Sequence, residues 1–216
     1  MEIRNKSLTE KVEDICIELE NEIHLIPPER KEKLLTLRDY ILRKIEDNQI
    51  PKLIVICTHN SRRSHIGQVW LAVGTDYYKI PEIQTFSGGT EATAFNIRAV
   101  LAFRKIGFDI RTEKSERDNP IYQVSWTKGM QPYQAFSKKY EDKPNPNEKF
   151  AAIMVCSEAD EGCPFVHGCD FRLSLPYDDL KVYDGTDLEV NKYDERVRQI
   201  GREMLFVLSS IKNTEQ

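Results

Sequence analysis

Five residues separate Cys57 from Arg63 in the run Lys52 to Ser64, Lys-Leu-Ile-Val-Ile-Cys-Thr-His-Asn-Ser-Arg-Arg-Ser. A cysteine and an arginine at this spacing suit nucleophilic attack by a thiolate on a tetrahedral oxyanion. The backbone N–H groups of Thr58, His59, Asn60, Ser61, Arg62 and Arg63 can converge on one point, and the helix that follows presents its positive end there. The Arg63 guanidinium can grip the oxyanion with two parallel hydrogen bonds. The same positive field favours the thiolate of Cys57. Such a displacement also needs a carboxylic acid to protonate the leaving oxygen, and Asp178 and Asp179, following Pro-Tyr after a late strand, are the candidates.

The elements around this run are those of an α/β protein. Leu53 to Ile56 read as a buried parallel strand ending at Cys57, and Ser64 is placed to cap the next helix, expected over 64–78. A second strand is expected at 83–87 and ends at Gly88-Gly89. Thr90 or a neighbour then caps a helix over about 93–106, which Gly107 closes. Residues 111–149 form an insertion: a charged loop, a β-hairpin from Ile121–Trp126 and Tyr133–Phe136, and a loop over Asp142 to Glu148. It reads as an extension of the core, or as a border to the site. A third apolar strand, Phe150 to Cys156, ends in cysteine like the first, which puts both sulfurs on one sheet edge. Cys163 follows seven residues later. A last strand is expected at 171–175, with Cys169 just before it, and a helix at about 191–211 with Asp194 and Glu195 in its first turn. In open sheets of this kind ligands bind at the carboxyl ends of the strands.

Upstream, apolar residues at three-to-four spacing predict helices over 8–23 and 29–46, broken at Pro27-Pro28. Residues 1–48 read as a helical hairpin appended to a domain over 49–216. It packs onto that domain, pairs two copies as a homodimer, or recognises a partner. Cys16 falls on its apolar stripe.

The chain has 216 residues, room for one good core and an appendage. Its 31 basic and 35 acidic residues give a net charge of −4, interspersed, which points away from nucleic acid. No apolar run approaches the ~20 residues of a membrane span, and the first residues lack a signal-peptide core, so a cytoplasmic protein is expected. Five cysteines in a reducing compartment read as working thiols.

Val-Ile-Cys-Thr-His-Asn-Ser-Arg-Arg-Ser, the later Phe-Ser-Gly-Gly-Thr-Glu, and Ala-Phe-Asn-Ile-Arg-Ala-Val with Ile-Gly-Phe-Asp-Ile resemble the low-molecular-weight protein tyrosine phosphatase superfamily over roughly residues 50–210. Within it, Cys156-Ser-Glu-Ala-Asp-Glu-Gly-Cys163-Pro resembles the redox segment of thioredoxin-coupled arsenate reductases. The resemblance implies a three-layer α/β fold on a central, mainly parallel four-stranded sheet. It implies that Cys57 attacks arsenate held by the loop and Arg63, with Asp179 as the acid. Cys156 would then attack Cys57 and release arsenite, and Cys163 would attack Cys156 to leave a disulfide that thioredoxin reduces. Asn60 and Ser64 resemble the residues that shape the loop and the thiolate, and Ser87 a supporting hydroxyl. The relay needs a mobile link, and Ser157 to Gly162, polar and containing a glycine, suits one. No cofactor beyond an external dithiol is implied.

The chain also departs from the pattern. His59 replaces a usual glycine, Arg62 stands where many members have a second cysteine, and Leu180 follows Asp179 where proline is usual. Gln68 replaces the acidic residue of a potassium site in some reductases, so no metal is expected. Two other readings are a phosphatase, which hydrolyses phosphate monoesters through a phosphocysteine and has no use for Cys156 and Cys163, and a non-catalytic oxyanion-binding or docking module.

Overall fold

The computed structural model describes residues 7–80, 83–112, 117–129, 131–162 and 165–212. Leu53, Ile54, Val55 and Ile56 are all fully or almost fully buried, as an uninterrupted apolar run requires of a strand covered on both faces. This strand, β1 (Lys52–Cys57), lies between β2 (Gln84–Gly89) and β6 (Phe150–Met154). Together with β7 (Cys169–Ser174) they form a four-stranded sheet in the order β2-β1-β6-β7, every pair parallel. Helices complete a three-layer α/β arrangement: α3 (Arg63–Tyr78), α4 (Ile97–Lys105), the short α5 (Ser157–Gly162) and α6 (Glu189–Lys212). Before the sheet come α1 (Glu10–Asn21) and α2 (Pro28–Glu46), the expected hairpin. No helix among the described residues is long and apolar enough to cross a membrane.

The hairpin is built into the core. Val12, Cys16 and Leu19 of α1 and Leu34, Leu37 and Ile41 of α2 are completely buried. Arg198 of α6 binds Glu18 and Glu22 of α1, and Tyr40 of α2 stacks on Phe171 of β7 at 5.0 Å while donating a hydrogen bond to Asp170. Gly201 makes the close approach possible, since a Cβ there would stand 2.6 Å from Trp70 and 2.8 Å from Leu19.

The insertion carries a second sheet. β3 (Asp109–Thr112), β4 (Tyr122–Ser125) and β5 (Tyr133–Ala135) pair antiparallel in that order. The expected hairpin is therefore present. The charged run, expected as loop from Arg111, begins inside β3, where Arg111 and Thr112 expose their side chains while the ladder takes up their backbone.

Several element ends differ from expectation. β2 runs on through Gly88 and Gly89, which pair with Ile56 and Cys57. α4 starts later, at Ile97, because the Asn96 side chain accepts from the Arg98 N–H and caps it; Thr90 bonds the Thr58 carbonyl instead. β6 stops at Met154, two residues short of Cys156, while β7 already begins at Cys169. Helix α6 starts at Glu189, so Glu189 holds the first turn rather than Asp194 and Glu195.

Candidate active site

The loop from Cys57 to Arg63 turns at Asn60, whose φ of 44° lies in the left-handed region that asparagine tolerates. Four of its carbonyls are held by hydrogen bonds. Cys57 O accepts from Thr90 N, Thr58 O from Glu91 N, His59 O from Thr93 Oγ1 and Ser137 Oγ, and Ser61 O from Asn96 N. In a trans peptide the C=O and the next N–H point opposite ways. The N–H groups of Thr58, His59, Asn60 and Arg62 therefore each point away from the partner of the preceding carbonyl and are left for an oxyanion. Gly89 lets β2 press against this loop, because a Cβ there would lie 2.6 Å from Thr58 O and 2.7 Å from Asn60 N.

Ser64 does something other than cap a helix. Residue Arg62 occupies the cap position of α3 without a side-chain hydrogen bond, while Ser64 Oγ lies 3.1 Å from Cys57 Sγ. The Asn60 amide donates to the same oxygen at 2.8 Å, which leaves the Ser64 proton for the sulfur. Asn60 Oδ1 in turn accepts from Lys138 N at 2.9 Å.

Arg63 is buried, and its Nη1 donates to the Tyr177 carbonyl at 2.8 Å. Its Nη2 lies 3.6 Å from Asp179 Oδ2, and Asp179 also accepts from Lys181 N. Asp178 is exposed and points elsewhere, paired with Arg196 of α6 at 2.9 Å. Only Asp179 of the two faces the arginine.

The other expected loop side chains separate. Arg62 turns away from the cradle: its side chain bonds the Tyr193 hydroxyl at 2.6 Å and pairs with Asp184, so an oxyanion meets its backbone rather than its guanidinium. His59 is half exposed and lies 3.6 Å from Glu91, at the surface. Ser61 is buried, and Thr58 is partly exposed. Ser87 is fully buried and lies 3.3 Å from His65 Nδ1 rather than at the sulfur.

Cys156 is fully buried, and its sulfur lies 3.4 Å from Thr58 Oγ1. The register explains the proximity. Ile56 pairs with Met154, and Val155 N bonds Ile56 O, so the chain carrying Cys156 leaves the sheet beside Cys57. Burial pushes the Cys156 thiol up from its ordinary pKa; Thr58, the Ala159 N–H and Arg63 pull it down, and Cys57 adds to the rise. Residues 157–162, expected as a mobile link, form α5. Cys163, the third cysteine of the expected relay, lies outside the described residues.

Three supports escaped sequence reasoning. His65 is fully buried, stacked on Phe95 at 4.2 Å, and held well below the usual histidine pKa by burial and then by Lys138. Lys138 is itself buried, which lowers it to about 8. Ser137 donates to the loop carbonyl of His59 and exchanges hydrogen bonds with Asn119. His65 left a weak signal, a histidine in the mostly apolar first half of a helix that also carries Ser64 and Gln68. The other two are placed by tertiary structure alone.

No protein-family model matches the chain. Among curated proteins it is similar to arsenate reductase 2 of Staphylococcus haemolyticus, 29% identical over 51% of this chain and 64% of that one, just under two thirds of that relative's length. It is also similar to the arsenate reductases of Bacillus subtilis (26%, covering 69% and 88%) and Halalkalibacterium halodurans (28%, covering 68% and 87%). Among solved structures, a YwlE mutant from Bacillus subtilis has the same fold, at TM-score 0.50 and 11% identity over 75% of this chain and 99% of that one. A low molecular weight phosphotyrosine phosphatase from Vibrio cholerae O395 matches at TM-score 0.49 and 13% identity, covering 77% and 99%. In sequence the chain is thus similar to curated arsenate reductases, and in fold to the YwlE structure. The Cys57 to Arg63 loop, with Ser64 at the sulfur and Asp179 near the arginine, is the candidate oxyanion site, with Cys57 the candidate nucleophile.

Proposed function

We propose that this chain reduces arsenate to arsenite through a cysteine relay and is regenerated by thioredoxin in the cytoplasm. One observation carries the reading: a second thiol, Cys156, is fully buried beside the nucleophile, its sulfur 3.4 Å from the hydroxyl of Thr58 in the cradle itself. Hydrolysis of a phosphocysteine has no role for it. The three curated relatives, each named an arsenate reductase, support the same reading.

In the proposed sequence, the loop N–H groups and Arg63 hold arsenate, and the Cys57 thiolate attacks arsenic. An arsenic–oxygen bond breaks, and Asp179 protonates the departing oxygen, which leaves as water. The Cys156 thiolate then attacks Cys57 Sγ. A sulfur–sulfur bond forms, the sulfur–arsenic bond breaks, and its electron pair goes to arsenic, which leaves as arsenite; two thiols have been oxidised and one As(V) reduced. Cys163 attacks Cys156, Cys57 leaves as thiolate, and thioredoxin reduces the Cys156–Cys163 disulfide.

The test is arsenate-dependent NADPH consumption with thioredoxin and thioredoxin reductase, with aryl phosphate hydrolysis measured alongside. Cys156→Ser and Cys163→Ser are expected to abolish steady-state reduction and to leave hydrolysis intact. Without reductant, Cys163→Ser is expected to release one arsenite per chain and to trap a Cys57–Cys156 disulfide, read by peptide mass spectrometry. Hydrolysis without any arsenate turnover in the wild type would leave a phosphatase in its place.

A further inference from the structure

The hairpin of α1 and α2 reaches the oxyanion site through one side chain. Arg30, in the first turn of α2, donates from Nε to Glu203 Oε2 at 2.9 Å and from Nη1 to the Pro176 carbonyl at 3.1 Å. Its guanidinium lies over the Tyr177 ring, 4.5 Å from the centroid. The Tyr177 hydroxyl donates to the same Glu203 oxygen at 2.6 Å. The Tyr177 carbonyl accepts from Arg63 Nη1, and two residues further on Asp179 faces Arg63 Nη2. Tyr177 and Glu203 are buried, and Arg30 is mostly so.

Each link constrains the next. A guanidinium is planar, so fixing one Nη on a carbonyl fixes the directions of its remaining donors. The Tyr177 carbonyl can serve as that anchor only if the segment Pro176–Asp179, which lies beyond β7 and keeps one backbone bond to the neighbouring strand, Tyr177 N to Val155 O at 3.2 Å, is itself held. Arg30 binds this segment at two points, the Pro176 carbonyl and the Tyr177 ring, and Glu203 holds a third, the Tyr177 hydroxyl.

We propose that Arg30 is a positioning residue for oxyanion binding: the appended hairpin sets the orientation of Arg63, and the place of Asp179, by clamping Pro176 and Tyr177. This gives residues 1–48 a role at the site although Arg30 lies outside the cradle. It rests on the reading of Cys57 to Arg63 as an oxyanion site.

Removing Arg30 alone would leave Glu203 as an uncompensated buried charge, which destabilises strongly. The test therefore uses Arg30→Lys, which keeps the charge and loses the flat fork, and Arg30→Met combined with Glu203→Gln, which removes both charges. The readout is alkylation of Cys57 by iodoacetamide, followed on its own peptide, with and without inorganic phosphate as the protecting oxyanion. Both variants, shown folded by circular dichroism, are expected to alkylate at the wild-type rate without phosphate, because Ser64 and Asn60 rather than Arg63 hold the sulfur. Half-protection is expected to need at least tenfold more phosphate. Folded variants protected as well as the wild type, even with a lowered melting temperature, would overturn the positioning role and leave Arg30 merely structural. A wild type that phosphate does not protect would overturn the oxyanion site itself and this inference with it.

Discussion

The hydroxyl of Thr58 lies 3.4 Å from the sulfur of Cys156, so the residue that opens the oxyanion loop also touches the second thiol. The candidate oxyanion loop and the second thiol therefore meet at one residue, the loop through its backbone and the thiol through its hydroxyl. Thr58 lowers the Cys156 pKa against the larger effect of burial, and the net direction is upward.

A pH dependence follows from that direction. A thiol whose pKa is raised is mostly protonated at neutral pH, and only the thiolate attacks sulfur. Arsenite release in a single turnover is expected to accelerate with pH through and beyond the ordinary thiol range. Aryl phosphate hydrolysis, which bypasses Cys156, should not follow that rise. Thr58→Val should move it to still higher pH. Rapid-quench arsenite assays between pH 6.5 and 9.5 measure this, and a profile that tracked hydrolysis would count against Cys156 as the attacking thiol.

The two neighbouring aspartates should separate cleanly. Asp179→Asn is expected to lower aryl phosphate turnover by about 10²- to 10⁴-fold, the usual contribution of a general acid, with the loss shrinking for esters whose leaving group needs no proton. Asp178→Asn removes the exposed partner of the buried Arg196, away from Arg63, and should change turnover by about fivefold at most. Equal effects of the two substitutions would argue against Asp179 as the acid.

His65 makes stability sensitive to acid. Its folded pKa lies well below the ordinary value, so as pH falls below ~6.5 the unfolded chain takes up a proton that the folded chain refuses. Stability is therefore full above the unfolded pKa and falls with pH below it, by up to ~1.4 kcal/mol per pH unit from this residue. Urea unfolding between pH 7.5 and 5 should show a shallower decline in His65→Leu than in the wild type, whatever the variant's absolute stability.

What the sequence disclosed was local. Cys57, the loop and Arg63 lie within one short run whose neighbours form a strand and a helix by pattern, and the apolar runs of β1 and β6 belong to a parallel sheet on any reading. What it concealed was contributed from a distance. Ser64 reads as a helix cap from its neighbours and is a hydrogen-bond partner of the Cys57 sulfur only because the loop folds back over it. Arg62 reads only as a loop backbone and a departure from a usual cysteine, and nothing local says that its side chain goes to Asp184 and Tyr193. Asp178 and Asp179 are equivalent as residue types, and Arg196 and Arg63 tell them apart. Lys138 and Arg30 are ordinary charges in polar stretches until folding buries them against the site.

The hydrogen bonds that shape the loop span long stretches of chain: Asn60 is held from Lys138, and Arg63 from Tyr177. A chain emerging from the ribosome carries Cys57 long before it carries either partner. Until Tyr177 has been synthesised and clamped, the cysteine has neither an oriented arginine nor a settled loop. These bonds cannot form before residue 177 has been made, so the nascent chain carries Cys57 for most of its synthesis without the completed site around it.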